Sequence, residues 1–232
     1  MKFGKCLVAL MLGASAISIQ ASNTRQPIAD KTILVPINGS VDGKTLDEYA
    51  NRWWQWAKTL PPNANAINDE NGEYCGVNQM GDVWFLAGGY GNSLIRRTCT
   101  ISGAKHLFFP IINMGYWQNL RAEKQASCES VKHGAALNNE HLLSISATLN
   151  GKIIENAGSF RIKSKECFDI YGLIDEKYDA PKWYPAATDG YWLMLKPLSP
   201  GVHKLKFQAQ YFRENGAFGR MAQDIEYTLI IE

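Results

Sequence analysis

Apolar residues recur along this chain in three rhythms, and each predicts a different kind of element. From Leu46 to Ala57 the rhythm is helical, with Leu46, Tyr49, Ala50, Trp53, Trp54 and Ala57 on one face. Thr45 and Glu48 stand three residues apart in front of it, the spacing of a capping box in which each side chain satisfies the other's backbone N–H. Pro61-Pro62 closes the stretch, because proline has no N–H and its ring clashes with the preceding turn. The pattern predicts one amphipathic helix of about 13 residues.

The second rhythm is the short unbroken apolar run, the mark of a buried strand. Val83–Leu86 and Leu107–Ile112 have it, with Pro110 arguing for a bulge or an edge. Leu94–Ile101 lies between them, bounded by Gly88-Gly89-Tyr90-Gly91-Asn92 and Ser102-Gly103, and the three runs together predict a meander. Ile33–Ile37, broken by Pro36, predicts a first edge strand, and Gly39–Gly43 a turn. The third rhythm is alternation. It runs from Val202 to Ala209 and again from Ile225 to Ile231, on either side of Glu214-Asn215-Gly216, and predicts a closing hairpin. Asn150-Gly151 between apolar runs predicts another hairpin, since both central positions of that turn need positive φ. Ser159–Lys163 and Tyr191–Leu195 read as further strands, and Leu120–Cys128 as a second short helix. Strands follow strands, without alternating helices. The expected fold class is therefore mainly β: an antiparallel β-sandwich with one Trp-rich amphipathic helix near the mature N-terminus.

The start of the chain has its own logic. Lys2 and Lys5 precede an apolar stretch, Cys6–Ile19, followed by small residues up to Ala21. That order is a secretory signal peptide, and the stretch is short for a bilayer span. The expected division is a signal peptide over 1–21 and one domain over 22–232, periplasmic or secreted, with no stable membrane anchor after cleavage. Loss of Lys2 and Lys5 takes the formal charge from +2 to zero. No basic stripe remains, so no nucleic-acid partner is expected. Cys6 leaves with the signal. Cys75, Cys99, Cys128 and Cys167 are then an even set in an exported chain, which reads as disulfides. Of three possible pairings, Cys75–Cys99 and Cys128–Cys167 join neighbouring segments and are preferred.

Several stretches carry a resemblance. They are Trp53-Trp54-Gln55-Trp56, the run Cys75-Gly76-x-x-Gln79-x-Gly81-x-Val83-Trp84-Phe85-Leu86-Ala87-Gly88, then Arg97-Thr98-Cys99-Thr100 and Phe108-Phe109-Pro110-Ile111. Asp189-Gly190-Tyr191-Trp192 and Leu198–His203 belong with them. The chain resembles a group of uncharacterised exported bacterial proteins. The resemblance implies export, a bacterial source and a single domain; it implies no activity and no catalytic residues.

The candidate chemistry is sparse. The nucleophile elbow, the zinc-protease helix motif and the phosphate-binding loop are all missing. His106, His133, His141 and His203 lack ligand spacing, so neither a metal nor another cofactor is expected. The aromatic residues carry more. Residues 171–190 form a long irregular stretch with Tyr178, Trp183 and Tyr184, stiffened by Pro181 and Pro185. Trp56 sits beside the apolar stripe of the helix; it is either an exposed platform or packed with the other two tryptophans. Tyr178, Trp183, Tyr184 and Trp56 are the candidate ligand-binding residues, and the leading reading is a binding module for a protein or a surface glycan. One alternative is a polysaccharide hydrolase using loop carboxylates such as Asp179 and Asp189. The other is a structural envelope protein or an inhibitor of another exported protein. Arg97, next to Cys99, is expected to be buried and paired with an acid.

Overall fold

The computed structural model describes residues 27–90, 94–118, 124–180, 182–212 and 219–232. The expected signal peptide, Gly91-Asn92, the first part of the expected second helix, Pro181 and the Glu214-Asn215-Gly216 turn lie outside those residues. In chain order, β1 (Ser40–Val41) and β2 (Lys44–Thr45) form a small hairpin, and α1 (Leu46–Thr59) follows at once. Next come β3 (Val83–Phe85), β4 (Leu94–Ile101) and β5 (His106–Trp117). A second helix, α2 (Cys128–Ala136), precedes β6 (Leu142–Leu149), β7 (Lys152–Ile153) and β8 (Arg161–Lys163). The chain ends with β9 (Ala186–Leu195), β10 (Gly201–Phe212) and β11 (Arg220–Ile231).

Helix α1 starts where its cap residues stand. The Glu48 carboxylate accepts from the Thr45 N–H at 2.7 Å and from its hydroxyl at 2.9 Å. These bonds hold the Glu48 carboxyl below its usual range. Trp53, Trp54 and Trp56 are all buried. Burying an indole is costly unless its N–H finds an acceptor, and each of these three finds one. Trp53 donates to the Leu86 carbonyl at 3.0 Å, Trp54 to the Thr188 hydroxyl at 2.9 Å and Trp56 to the Val77 carbonyl at 2.9 Å.

The strands form two larger sheets, ordered β4-β11-β10-β6-β7 and β3-β5-β9-β8. β10 carries the alternation most plainly, with Leu205, Phe207, Ala209 and Tyr211 buried. Phe207 stacks on Phe109 of β5 at 4.9 Å, and one apolar cluster includes residues of both sheets. β9 is buried along its whole length because its two faces have different covers. Tyr191, Leu193 and Leu195 join that first cluster; Trp192 and Met194 join a second cluster with α1. α2 lies against β9 and β5.

Three expectations are corrected. The runs at β3, β4 and β5 are not a meander: β3 and β5 pair parallel in one sheet, while β4 pairs parallel with β11 in the other. Apolar runs mark strands but do not name their neighbours, and here the chain changes sheet twice. Both larger sheets are consequently mixed. The first expected strand is instead a 3₁₀ turn (Lys31–Ile33) and a single bridge from Leu34 to Leu195. The second helix starts at Cys128, where the Ser127 side chain accepts from the Ser130 N–H as its cap.

Disulfides join Cys75 to Cys99 and Cys128 to Cys167, with Cα–Cα distances of 6.0 and 5.9 Å. Stable disulfides suit an oxidising compartment. Among the described residues no helix is long and apolar enough to cross a membrane.

Candidate functional site

The four residues singled out in the sequence do not form one surface. Trp56 is 2% exposed, so it is no open platform; its ring packs on Phe85 and its N–H is engaged by Val77. Trp183 is half-buried, because its loop folds back on itself. The Asp169 carboxylate accepts from the backbone N–H of both Tyr171 and Trp183 at 3.0 Å. The Trp183 ring then lies 5.3 Å from Tyr171 and 6.2 Å from Trp117. Tyr178 and Tyr184 are 68% and 56% exposed, at the loop's outer side.

Trp117 leads from that loop into a cleft of about 310 Å³. Helix α1 supplies Trp53, Trp54 and Lys58 to its walls, β5 supplies Asn113, Gly115 and Trp117, and the turn after β3 supplies Gly88, Gly89 and Tyr90. The ends of β10 and β11 close it with Tyr211, Arg220 and Gln223. Clefts of this size, lined by apolar and aromatic residues with a few polar groups, are the usual form of small-ligand sites.

Local sequence explains the shape. The Trp54 ring lies directly over Gly115, and a Cβ there would come within 2.7 Å of the indole. The Trp54 ring is fixed by its N–H to Thr188, whose hydroxyl in turn donates to the Met114 carbonyl at 2.9 Å. On the other side the Gly89 N–H donates to Gln223 Oε1 at 2.9 Å, and a Cβ on Gly88 would meet the same amide at 2.8 Å. Two glycines thus let the turn press against β11. Beneath it lies Arg97, 2% exposed, donating to the carbonyls of Ile67, Asp69, Ala87 and Gly88 and to the Tyr227 hydroxyl. Arg97 is buried as expected, but its hydrogen-bond partners are carbonyls and a phenol, not a carboxylate.

The polar groups of the cleft are cations and amides. Lys58 Nζ lies 4.4 Å from the centre of the Trp117 ring, a cation–π contact. Burial lowers the Lys58 pKa. No carboxylate among the described residues pairs with it, and none lines the cleft. Asn113 is 9% exposed and its side-chain nitrogen has no hydrogen-bond partner.

A second groove, of about 410 Å³, runs past Tyr49, Arg52, Met80 and Phe85. It is larger, but some of its charges are already answered: Lys44 pairs with Asp42 at 3.3 Å, and Lys105 reaches Asp82 at 3.8 Å. Among the described residues no three potential metal ligands lie together.

The sequence reading missed Lys58, Tyr90, Asn113, Trp117 and Arg220. One signal was available for Lys58: it follows three tryptophans on a helix, so its stem had to lie along aromatic surface. The others come together only through sheet pairing.

No family model and no curated protein matches the chain. A solved structure described as PbICP-C in complex with falcipain-2 contains a chain that is similar over 66% of this one and 100% of its own length. The identity is 10% and the TM-score 0.26. A likeness that slight carries nothing about fold or function.

Proposed function

We propose that this is an exported binding module, built as a β-sandwich, whose ligand enters the aromatic cleft beside Trp117. The observation that carries the reading is the cleft itself: a concave, Trp-lined space with polar groups that the fold leaves unused. Export is supported by the two disulfides and by the signal-like start of the chain. A space of this size takes a small molecule, or a single residue of a glycan or protein chain. The exposed Tyr178 and Tyr184 are not among the residues lining this cleft.

The hydrolase alternative loses one of its acids. Asp189 is 1% exposed and both its oxygens are taken: Arg161 donates to them at 2.9 and 3.0 Å, and Lys163 lies 3.6 Å away. A carboxylate held that way fixes β8 to β9 and is unavailable as a general acid.

The test is a thermal-shift screen of small acids, neutral aromatics and oligosaccharides against the wild type and Trp117→Ala, Tyr178→Ala and Tyr184→Ala. A ligand at 100 times its Kd stabilises by about 2.7 kcal/mol. The expected hit shifts the wild type and both tyrosine variants but not Trp117→Ala. A hit lost only in the tyrosine variants returns the site to the loop, and a flat screen refutes the binding reading.

A further inference from the structure

Anionic ligands are selected wherever a site holds cations that the fold does not neutralise, since a bound anion then offsets their desolvation. The aromatic cleft has that imbalance. Lys58 contributes one cation and Arg220, at the start of β11, a second. Some cations elsewhere are met by carboxylates: Arg161 and Lys163 meet Asp189, Lys206 meets Glu226 at 2.9 Å, Arg96 meets the same residue at 3.1 Å, and Lys165 meets Asp47 at 2.9 Å. Lys58 and Arg220 have no such partner among the described residues.

The rest of the lining defines the body of the ligand. Trp53, Trp54 and Trp117 present ring edges and faces, with Trp54 and Trp117 5.8 Å apart and inclined at 61°. That is the spacing of two rings in edge-to-face contact with each other, so a guest lies against this aromatic wall rather than between the rings.

We infer that the cleft binds a small aromatic carboxylate, with the acid group beside Lys58 and the ring against the tryptophans. The inference rests on the binding reading above and narrows it from any small ligand to an acidic, planar one. The Lys58 ammonium, half-buried and met among the described residues by a ring face rather than a carboxylate, gains a charge-assisted hydrogen bond from the ligand's acid group. A neutral amide of the same shape keeps the stacking and loses the ion pair.

The experiment is calorimetric titration of the intact protein with three probes: 2-naphthoate, 2-naphthamide and acetate. Naphthoate is expected to bind at least about tenfold more tightly than naphthamide, the scale of a charge-assisted hydrogen bond. Acetate, with no ring, is expected to show no saturation. Lys58→Met should weaken naphthoate by at least about tenfold and naphthamide by clearly less, and Lys58→Arg should restore most of the naphthoate loss. Equal affinity for naphthoate and naphthamide in the wild type overturns the acid specificity while leaving the cleft as the site. Naphthoate binding that survives Lys58→Met but fails in Tyr178→Ala overturns the placement. No saturable binding of either aromatic probe overturns this inference and, joined to a flat screen, the binding reading with it.

Discussion

Replacing Arg97 by methionine removes five hydrogen bonds from the interior in one step. The guanidinium is 2% exposed, and its donors reach Ile67, Asp69, Ala87 and Gly88 carbonyls and the Tyr227 hydroxyl at 2.7–3.0 Å. Not all of these acceptors are stranded by its loss. The Ala87 carbonyl keeps the Tyr227 hydroxyl as a donor at 2.8 Å, and that hydroxyl keeps the Ala87 N–H at 3.0 Å. The carbonyls of Ile67, Asp69 and Gly88 lose the guanidinium and receive no replacement from the methionine side chain. A buried acceptor left without a partner costs about 1–3 kcal/mol, so three would cost about 3–9 before relaxation. Water entry and the flexible thioether recover part of that. Measured losses above about 5 kcal/mol are exceptional, and about 4 kcal/mol is the expected result. For a chain of this size that lowers Tm by about 8–16 °C. Arg97→Lys keeps the charge but offers three donors in place of five, and should fall between the two. Urea unfolding followed by tryptophan fluorescence reads the difference. A loss under about 1 kcal/mol with an unchanged denaturant slope would refute the claim that Arg97 ties the cleft's back wall together.

Three further outcomes follow from the same structure. Removing Cys128–Cys167, which closes 39 residues, should cost about 4 kcal/mol, and removing Cys75–Cys99, which closes 24, about 3.5 kcal/mol; denaturant midpoints of the Cys→Ser pairs check both size and order. Glu48 has a folded-state pKa below its unfolded value, so its stabilisation is present above the usual glutamate pKa of about 4.3 and is lost as pH falls through the folded value. Glu48→Ala should therefore cost about 0.5–1 kcal/mol at pH 7, and the unfolding curves of the variant and the wild type should converge as the pH falls through the folded-state value. Trp183→Ala should destabilise by about 2 kcal/mol, because the ring is held between Tyr171 and Trp117, whereas Tyr178→Ala and Tyr184→Ala should stay within about 0.5 kcal/mol of the wild type. Equal thermal shifts for all three would show that Trp183 is not part of the packed loop.

Much of the local structure was legible because the instructions are short-range. Thr45 and Glu48 lie one turn apart, and Pro61-Pro62 prevents continuation, so α1 needs no distant partner to find its ends. Asn150-Gly151 takes φ of 52° and 74°, the twist a two-residue hairpin demands, and β6 turns into β7 there. Alternation fixed which face of β10 and β11 turns inward, since a shift by one residue would expose Phe207 and Tyr227 together. Cysteine count and neighbourhood gave the disulfide pairing.

Sheet membership and the cleft were not legible in the same way. β4 was expected beside β3 and β5, but it runs parallel to β11, more than 120 residues further on; no local pattern encodes that partnership. Exposure of a given aromatic is decided similarly. Trp56 was open to either exposure or packing and Trp183 read as a surface residue; Val77 and Asp169 bind them down. The sequence by itself determined helix α1, the turn at Asn150-Gly151, the inward faces and the disulfides, because each depends on residues a few positions apart or on an even count. Tertiary structure alone decided that Lys58, Asn113, Trp117 and Arg220 share one concavity, with no carboxylate among its described lining residues. They come from α1, β5 and β11, and only non-local pairing and the glycine-permitted approach of Trp54 to Gly115 bring those elements together.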